Sequence, residues 1–346
     1  MGKKKGGKKK VAKDLGATHA EFVANYKKAC KIIGEQPDEE VLKALNEANA
    51  ESKCDKLCIG DYSMGPSGVR ALADAIYGVG EEDEGSSSKT FTQLTALRLW
   101  RTRACDDGVA ALARLLKERK EKLNIRALEL VDNNIGIRGA RYLGDALSLS
   151  GYKNITRLNL EHNPLGSEGI EAMCEGLRTN CSVRELMLGH CEIGPEGGKA
   201  LSQLLSYPAS KLTHLDLKCN ELGSEGLRWL VVSLRRNTVL TNLNLFDNNI
   251  GGFPPDEKDV DAFRSLGNAL AVNKTLTSLD MDLNYFGKEG AAALSEGIQK
   301  NTTLSEFTAD FTLDSDSFNS ITSHIKPSGG KKKGGKKKKK KKKKKK

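Results

Sequence analysis

A five-point signature that recurs along the chain constrains its fold more than any other feature. It consists of a leucine, any residue, a second leucine, an asparagine three positions later, and two glycines spaced three apart. Clear copies begin at Leu128, Leu158 and Leu215, and successive first leucines fall 28 to 31 residues apart over most of the chain. A period of about 20 to 50 residues is typical of solenoids, so one stacked domain is predicted instead of several globular ones.

Each copy predicts one strand followed by one helix. Alternate leucines such as Leu158 and Leu160 lie on one face of a strand, and Asn163 is placed to satisfy buried backbone groups of neighbouring units. After the second glycine the apolar residues change to helical spacing, as at Ile170 and Met173. Units of this size bury their leucines against both neighbours, so the stack is the folding unit.

These motifs resemble the ribonuclease-inhibitor class of leucine-rich repeats from roughly Leu57 to Ile325. The resemblance implies an α/β leucine-rich-repeat solenoid, a curved horseshoe with a concave parallel sheet and convex helices. Nine units are expected, with first strand positions at Leu57, Leu97, Leu128, Leu158, Leu186, Leu215, Leu243, Leu279 and Phe307.

The asparagine position departs from the pattern in four units, which hold Tyr62, Thr102, Cys191 and Thr312. Terminal units face solvent on one side, so degeneracy at both ends of the array is expected. The resemblance implies that cysteine is tolerated at this position, and we therefore interpret Cys191 as structural.

An N-terminal helical cap is predicted before the first unit. A helix from about Asp14 to Ile33 would place Phe22, Tyr26 and Cys30 on one stripe, and Asp38 opens a second helix. The predicted domains are a disordered lysine-rich tail at 1–13, the cap at 14–52, a solenoid of about nine units at 53–326, and a disordered polylysine tail at 327–346.

The segment from Tyr26 to Leu42, with Cys30, Gly34 and Pro37, is similar to the helical lead-in of ciliary and testis leucine-rich-repeat proteins. These include the repeat subunit of the nexin-dynein regulatory complex. The resemblance implies an axonemal, microtubule-associated location in a cilium or flagellum, within the cytoplasm and its cytoskeleton. The nucleus is the alternative location.

Charge divides the chain into two unlike parts. There are 56 basic and 45 acidic residues, but 20 of the lysines lie in terminal blocks, so the blocks carry +20 and the rest carries −9. Such blocks favour a polyanion: the acidic tails of tubulin, with nucleic-acid phosphate or an anionic membrane surface as alternatives. The predicted polyanion-binding residues are Lys3, Lys4, Lys5, Lys8, Lys9, Lys10, Lys331, Lys332, Lys333, Lys336, Lys340 and Lys346.

Residues between and just after the strand leucines are predicted to face the concave side and to contact a protein partner. Trp100 and Phe246 are expected to be exposed anchors, because tryptophan is enriched at interface hot spots and aromatic residues at interfaces in general. The predicted partner-binding residues are Arg98, Trp100, Arg101, Glu129, Glu161, Met187, Asp216, Phe246, Asp280 and Asp282.

Two units are longer than the rest and are expected to form surface loops that can touch partners. The first contains an acidic, serine-rich stretch within 78–92, and the seventh contains Pro254 and Pro255 within 251–259.

No catalytic, metal or cofactor site is predicted. None of the five histidines forms a metal-binding i, i+4 pair, and no nucleophile elbow or phosphate-binding glycine-lysine loop is present. His162, His190 and His214 fall on or beside strands, but we interpret them as ordinary surface residues at differing positions in the unit. The eight cysteines lack zinc spacing and are interpreted as small hydrophobes of a reducing compartment.

These features predict a non-catalytic scaffold whose repeats bind a protein partner while the lysine tails hold a polyanion. One alternative is a nuclear or nucleolar RNA-associated repeat protein. A third is a GTPase-activating protein of the Ran type, which shares this class of repeat, although that resemblance implies an acidic tail and this chain ends in lysines. The protein is expected to be monomeric outside a complex, with no transmembrane segment.

Overall fold

The computed structural model describes residues 16–50, 55–61, 64–78, 89–309, 315–323 and 325. Within them, nine strands form one parallel sheet whose order follows the chain. The strands are β1 (Lys56–Gly60), β2 (Ala96–Trp100), β3 (Ala127–Glu129), β4 (Arg157–Asn159), β5 (Glu185–Met187), β6 (His214–Asp216), β7 (Asn242–Asn244), β8 (Ser278–Met281) and β9 (Glu306–Ala309). The helices are α1 (His19–Ile33), α2 (Glu39–Ala50), α3 (Gly65–Tyr77), α4 (Cys105–Glu118), α5 (Ile137–Leu147), α6 (Gly166–Leu177), α7 (Pro195–Ser206), α8 (Gly223–Leu234), α9 (Glu257–Val272), α10 (Gly287–Ile298) and α11 (Ser315–Thr322).

Some predicted features lie outside the described residues. These features are the two lysine tails, Tyr62, Thr312 and most of the acidic, serine-rich stretch. The predicted domain boundaries therefore stay predictions.

All nine predicted strand positions share one register. Leu57 pairs with Leu97, and the alignment continues strand by strand until Leu279 pairs with Phe307. A parallel pair needs a crossover between its strands, and here each crossover contains the helix of that unit. The predicted α/β leucine-rich-repeat solenoid is confirmed.

The strand leucines and the helix stripes form one continuous core. Leu158, Leu160, Ile170 and Met173 are fully buried, as their spacing predicts. Every two consecutive helices from α3 to α11 pack against each other. Burying an aliphatic side chain of this kind contributes about 1.5 to 3 kcal/mol before chain entropy is subtracted.

The signature asparagine joins each unit to the one before it. Asn163 donates from Nδ2 to the carbonyls of Leu130 and Leu160, both at 2.8 Å. Its Oδ1 accepts the N–H groups of Asn133 at 2.9 Å and Ile135 at 3.0 Å. Bonds of the same type are made by Asn133, Asn220, Asn248 and Asn284.

The two described departures from asparagine are also structural. Thr102 is buried and donates its hydroxyl to Asn133 Oδ1 at 2.6 Å. Cys191 is buried and its Sγ donates to the carbonyl of Leu160 at 3.2 Å. Burial raises the pKa of the Cys191 thiol to about 12, so the reactive thiolate is suppressed, in agreement with a structural role.

A second asparagine row follows the helices and was not foreseen from the sequence. Asn180 donates from Nδ2 to the carbonyl of Leu147 at 2.7 Å, and its Oδ1 accepts the N–H groups of Ser182 and Val183. Its sequence signal is an asparagine three residues before a buried aliphatic residue. The other members are Asn237, Asn273 and Asn301.

The first cap helix begins later than predicted. It starts at His19, not Asp14, because Thr18 forms a capping box with Glu21: the Glu21 N–H donates to Thr18 Oγ1 at 3.2 Å, and the Thr18 N–H donates to Glu21 Oε2 at 2.6 Å. Phe22 stacks on Phe91 with ring centroids 4.4 Å apart. α1 packs on α3 and α2 packs on β1, so both helices contact the first unit.

Candidate protein-binding surface

The exposed face of the sheet, together with the turn residue after each strand, forms the concave surface; units are numbered by their strands. The turn residues have φ between 51° and 58°, the left-handed region. From unit 1 to unit 7, the N–H of each donates to a carbonyl of the next unit at 2.8 to 3.0 Å. Of this row, only Arg101 is among the predicted partner-binding residues. Its members are Asp61, Arg101, Asp132, His162, His190, Cys219, Asp247 and Leu283.

In the N-terminal part of the concave surface, units 1 to 3, opposite charges are paired. Arg98 Nε donates to Glu129 Oε1 at 3.0 Å. Arg101 donates to Asp61 at 3.0 Å and to Asp132 at 3.2 Å, and so bridges three units. Glu129 is buried and its carboxylate is bound to Arg98; its predicted contact with a partner stays a prediction.

Trp100 is the exposed aromatic residue of this part, as predicted. Its side chain is 42% exposed. A methyl group added at Gly60, the paired residue on β1, would lie 3.6 Å from Trp100 Cβ and 3.9 Å from Cε3. The indole therefore rests beside a strand residue that has no side chain, with part of its surface open to solvent.

In the middle part, units 4 to 6, an ion pair passes over an intervening unit. Lys218 of unit 6 pairs with Glu161 of unit 4, across Gly189 of unit 5. A Cβ at Gly189 would lie 2.9 Å from Lys218 Cγ and Cε and 3.1 Å from Glu161 Oε1, so glycine leaves the path open. Burial raises the pKa of Glu161, but the hydrogen bonds from Lys218 and Asn159 outweigh it and hold that pKa below its ordinary value.

His162 and His190 stack beside this ion pair. Their ring centroids are 4.1 Å apart and their planes differ by 12°. The interpretation that the strand histidines occupy differing positions is wrong for these two, which both follow the first leucine by four residues; His214 differs. Burial lowers the pKa of His190, and the neighbouring His162 and Lys218 lower it further.

Asp216, at the end of β6 in unit 6, lies next to the C-terminal part of the concave surface. Burial raises the pKa of its carboxyl, although Lys218 lies 3.9 Å away. Asp216 lines a shallow depression of about 320 Å³, together with Met187 and Asp280. Three of the predicted partner-binding residues therefore line one depression on the concave surface.

In the C-terminal part, units 7 and 8, the carboxylates have no cationic partner among the described residues. Asp247 is exposed, and Asp280 and Asp282 are half-buried. Asp280 Oδ1 accepts the N–H of Asp282 at 3.1 Å and the hydroxyl of Thr308, which does not neutralise its charge. This part therefore presents uncompensated negative charge.

Exposed apolar side chains lie in the same two units, and the sequence reasoning missed them. Phe253 is 93% exposed in the lengthened unit 7, and Leu283 and Tyr285 are exposed in unit 8. The Tyr285 N–H donates to the carbonyl of Ile250 at 2.8 Å, which holds the two turns together. Phe246, expected to be exposed, is half-buried instead, so it is a poorer anchor than these three.

The predicted partner-binding residues lie along the concave sheet from unit 2 to unit 8. They divide among units 2 and 3, units 4 to 6, and units 7 and 8, while every predicted polyanion-binding lysine lies outside the described residues. The described residues contain no group of three or more side chains able to hold a metal ion, and no described helix is long and apolar enough to cross a membrane. The predicted partner-binding residues are Arg98, Trp100, Arg101 and Glu129 in units 2 and 3; Glu161, Met187 and Asp216 in units 4 to 6; and Phe246, Asp280 and Asp282 in units 7 and 8.

Comparison with known proteins identifies leucine-rich repeats in the chain. A protein-family model described as "Leucine Rich repeat" matches residues 153–174, 179–202, 209–230, 236–252 and 272–295. Human "NACHT, LRR and PYD domains-containing protein 5" is 31% identical over 218 residues, which cover 62% of this chain and 17% of that protein. Mouse "NACHT, LRR and PYD domains-containing protein 14" is 29% identical over 269 residues, covering 76% and 24%.

A relative of another type matches as well. "Protein CARMIL" of Dictyostelium discoideum is 28% identical over 187 residues, which cover 51% of this chain and 17% of that protein. The chain thus spans between 17% and 24% of the length of these relatives. The repeat matches and the open nine-stranded parallel sheet together show that the chain is a leucine-rich-repeat protein with an α/β solenoid fold.

Proposed function

We propose that the chain is a non-catalytic scaffold of the ribonuclease-inhibitor repeat type, which binds a protein partner on its concave surface while its lysine tails tether it to a polyanion. The separation of charge carries this proposal: +20 in the terminal blocks and −9 in the rest, with unpaired carboxylates gathered in units 7 and 8.

The partner is expected to present a basic segment that includes an apolar side chain. Asp247, Asp280 and Asp282 supply negative charge that no described cation neutralises. Phe253 and Tyr285 supply exposed aromatic surface in the same units. Opposite potentials accelerate association and select the partner, whereas aromatic anchors contribute most of the binding energy.

The tails are expected to act as an electrostatic tether. Dense positive charge binds dense negative charge with strong salt dependence, and the tails contain no aromatic residues for stacking on bases. The acidic tails of tubulin are the favoured polyanion, because the lead-in before the repeats resembles that of ciliary repeat proteins. Cytoplasm, cytoskeleton and ciliary axoneme are the corresponding proposed locations for a protein that is monomeric outside its complex.

Cosedimentation with microtubules tests the tether. The full-length chain is compared with a full-length variant in which the lysines of 3–10 and 331–346 are replaced by glutamine, and both are tested on microtubules with and without their acidic tails. We expect the glutamine variant to lose at least about tenfold in affinity, and the wild-type chain to lose a similar amount on trimmed microtubules. Equal microtubule binding by the two chains would contradict the proposed tether.

The same tails support one alternative, association with RNA in the nucleus or nucleolus. Salt-dependent RNA binding does not separate the alternatives, because any polycation shows it. The location of the tagged protein in its own cells does: axonemal staining favours the tubulin proposal, and nucleolar staining favours RNA. GTPase activation of the Ran type is the third alternative; the scaffold proposal predicts that single-turnover GTP hydrolysis by Ran does not accelerate when the chain is added.

A further inference from the structure

On the helical side of the solenoid, opposite the concave surface, α7 and α8 expose a groove that is mostly apolar at one end and mixed in polarity at the other. Two adjoining cavities of about 690 and 450 Å³ share Ser206, Tyr207, Pro208 and Val232 in their lining. Val232 is 60% exposed and Trp229, in the smaller cavity, is 37% exposed. Several large apolar side chains exposed in one groove are typical of a docking site, whereas a helix face that only meets solvent is mostly polar.

The rim of this groove is basic. The Arg178 guanidinium lies 5.8 Å from the centroid of the Tyr207 ring, and Lys199 Nζ lies 5.0 Å from that of Trp229. Arg235 and Arg236 line the larger cavity, and no carboxylate lines either one. The body of the chain carries net negative charge, so this basic rim is a local feature.

Aromatic rings hold Arg178 and Lys199 beside the floor of the groove. A cation over a ring face is attracted by its quadrupole, which keeps the charge close to the groove instead of free in solvent. Arg178 Nη2 donates to Gln203 Oε1 at 2.9 Å, whereas its buried Nε has no hydrogen-bond partner. Because that Nε is buried, the donors of the rim that can meet a carboxylate are those of Lys199, Arg235 and Arg236.

We propose that this groove, the convex groove, binds an acidic peptide segment of a second protein partner. An aromatic or aliphatic side chain of that segment lies against Tyr207, Trp229 and Val232, and its flanking carboxylates pair with Lys199 and Arg235. Charge complementarity selects this occupant, because the rim is cationic and the floor apolar. The concave surface is acidic in units 7 and 8, so the two surfaces suit partners of opposite charge.

A peptide titration tests this proposal on the full-length chain whose tail lysines are replaced by glutamine, so that the tails do not compete. The probe is a short fluorescein-labelled peptide in which Glu alternates with Leu and Phe, followed by fluorescence anisotropy. The test variant is Val232→Glu with Arg235→Glu, two exposed positions on or beside the end of α8. The matched control is Arg228→Glu, an exposed charge on α8 that does not line the groove.

We expect the test variant to lose at least about tenfold in affinity and the control to stay within about twofold of its parent. Equal affinity of the test variant and its parent, or no binding by the parent, would overturn the proposal. A second test variant, Arg236→Glu, must weaken binding in the same direction, and thermal unfolding checks that each variant is folded.

Other occupants are distinguished by two further measurements on the same variants. Sedimentation equilibrium reports self-association, and flotation with phosphatidylserine vesicles reports membrane binding. If the groove substitutions change either of these while the peptide affinity is unchanged, a second copy of the chain or an anionic membrane occupies the groove, and the acidic-peptide proposal is wrong.

Discussion

The two ends of the concave surface are built on the same backbone framework and differ in how their charges are satisfied. In units 1 to 3, Arg98 and Arg101 are bound to carboxylates of neighbouring units. In units 7 and 8, Asp247, Asp280 and Asp282 have no cationic partner among the described residues. The rows that define the fold are thus shared, while the capacity to attract a charged partner is concentrated at one end.

This difference indicates which substitutions should affect binding and which should affect stability. A charge already paired within the protein has much of its field cancelled, and a partner that used it would have to displace an existing hydrogen bond. An unpaired carboxylate offers its full field to an approaching cation. Partner capture is therefore expected to depend on the C-terminal part more than on the N-terminal part.

The largest expected effect is on the framework that both ends share. Asn220→Ala removes donors to the carbonyls of Leu188 and Leu217 and the acceptor of the Cys191 and Ile193 N–H groups. Because these buried groups would lose their partners, we expect unfolding free energy to fall by at least about 3 kcal/mol. Chemical denaturation measures it.

The matched control for this change is Glu221→Ala, at the exposed neighbouring position, with an expected effect within about 0.5 kcal/mol. Similar losses in the two variants would show that the asparagine row is not what joins the units.

The next largest effect is expected on binding at the C-terminal part. Phe253→Ala with Tyr285→Ala should weaken capture of a short peptide in which Lys alternates with Leu and Phe by at least about tenfold, because exposed aromatic anchors dominate interface energies. Both side chains are exposed, so the melting temperature should not change. Ile32→Ala, an exposed apolar residue of α1, is the control and should leave affinity unaltered.

Trp100→Ala should have a smaller effect on the same peptide, about threefold, because the charges around this indole are already paired. Fluorescence anisotropy measures the affinity, and thermal unfolding accompanies it. A larger loss than that of the Phe253 and Tyr285 variant would reverse the proposed ranking of the two ends. A large drop in melting temperature would show that the indole belongs to the core.

The smallest effect concerns the histidine pair between the two ends. The pKa of His190 lies below its ordinary value of 6.5 because of burial and its neighbours His162 and Lys218. In an NMR titration, His162→Gln and Lys218→Met should each move the His190 midpoint upward. Since the folded state binds this proton more weakly, its contribution to stability should be constant above pH 6.5 and decline on acidification. A midpoint above 6.5 would contradict the stacked arrangement.

The fold was predictable because its determinants are periodic and local. Leucine spacing specified the register from Leu57 to Phe307, and the glycine positions marked where helices begin. The start of α1 was predicted wrongly because apolar periodicity does not reveal a cap, whereas Thr18 and Glu21 do.

The candidate site was less predictable because it depends on relations between units. The burial of Glu129 follows from its contact with Arg98, which sequence position alone does not show. Phe253 was missed because the insertion that contains it does not repeat, and the His162 and His190 stack was missed because their shared position in the unit was not compared.

The most direct test of the account compares charge removal at the two ends of the concave surface in the full-length chain. One variant carries Asp247→Asn, Asp280→Asn and Asp282→Asn, which preserve shape and suit the left-handed backbone at position 247; the other carries Asp61→Asn, Arg101→Gln and Asp132→Asn, which together remove charges that pair with one another. The affinity of the Lys, Leu and Phe peptide should fall about tenfold in the first and stay within about twofold in the second. Equal changes in both variants, or none in the first, would contradict the account.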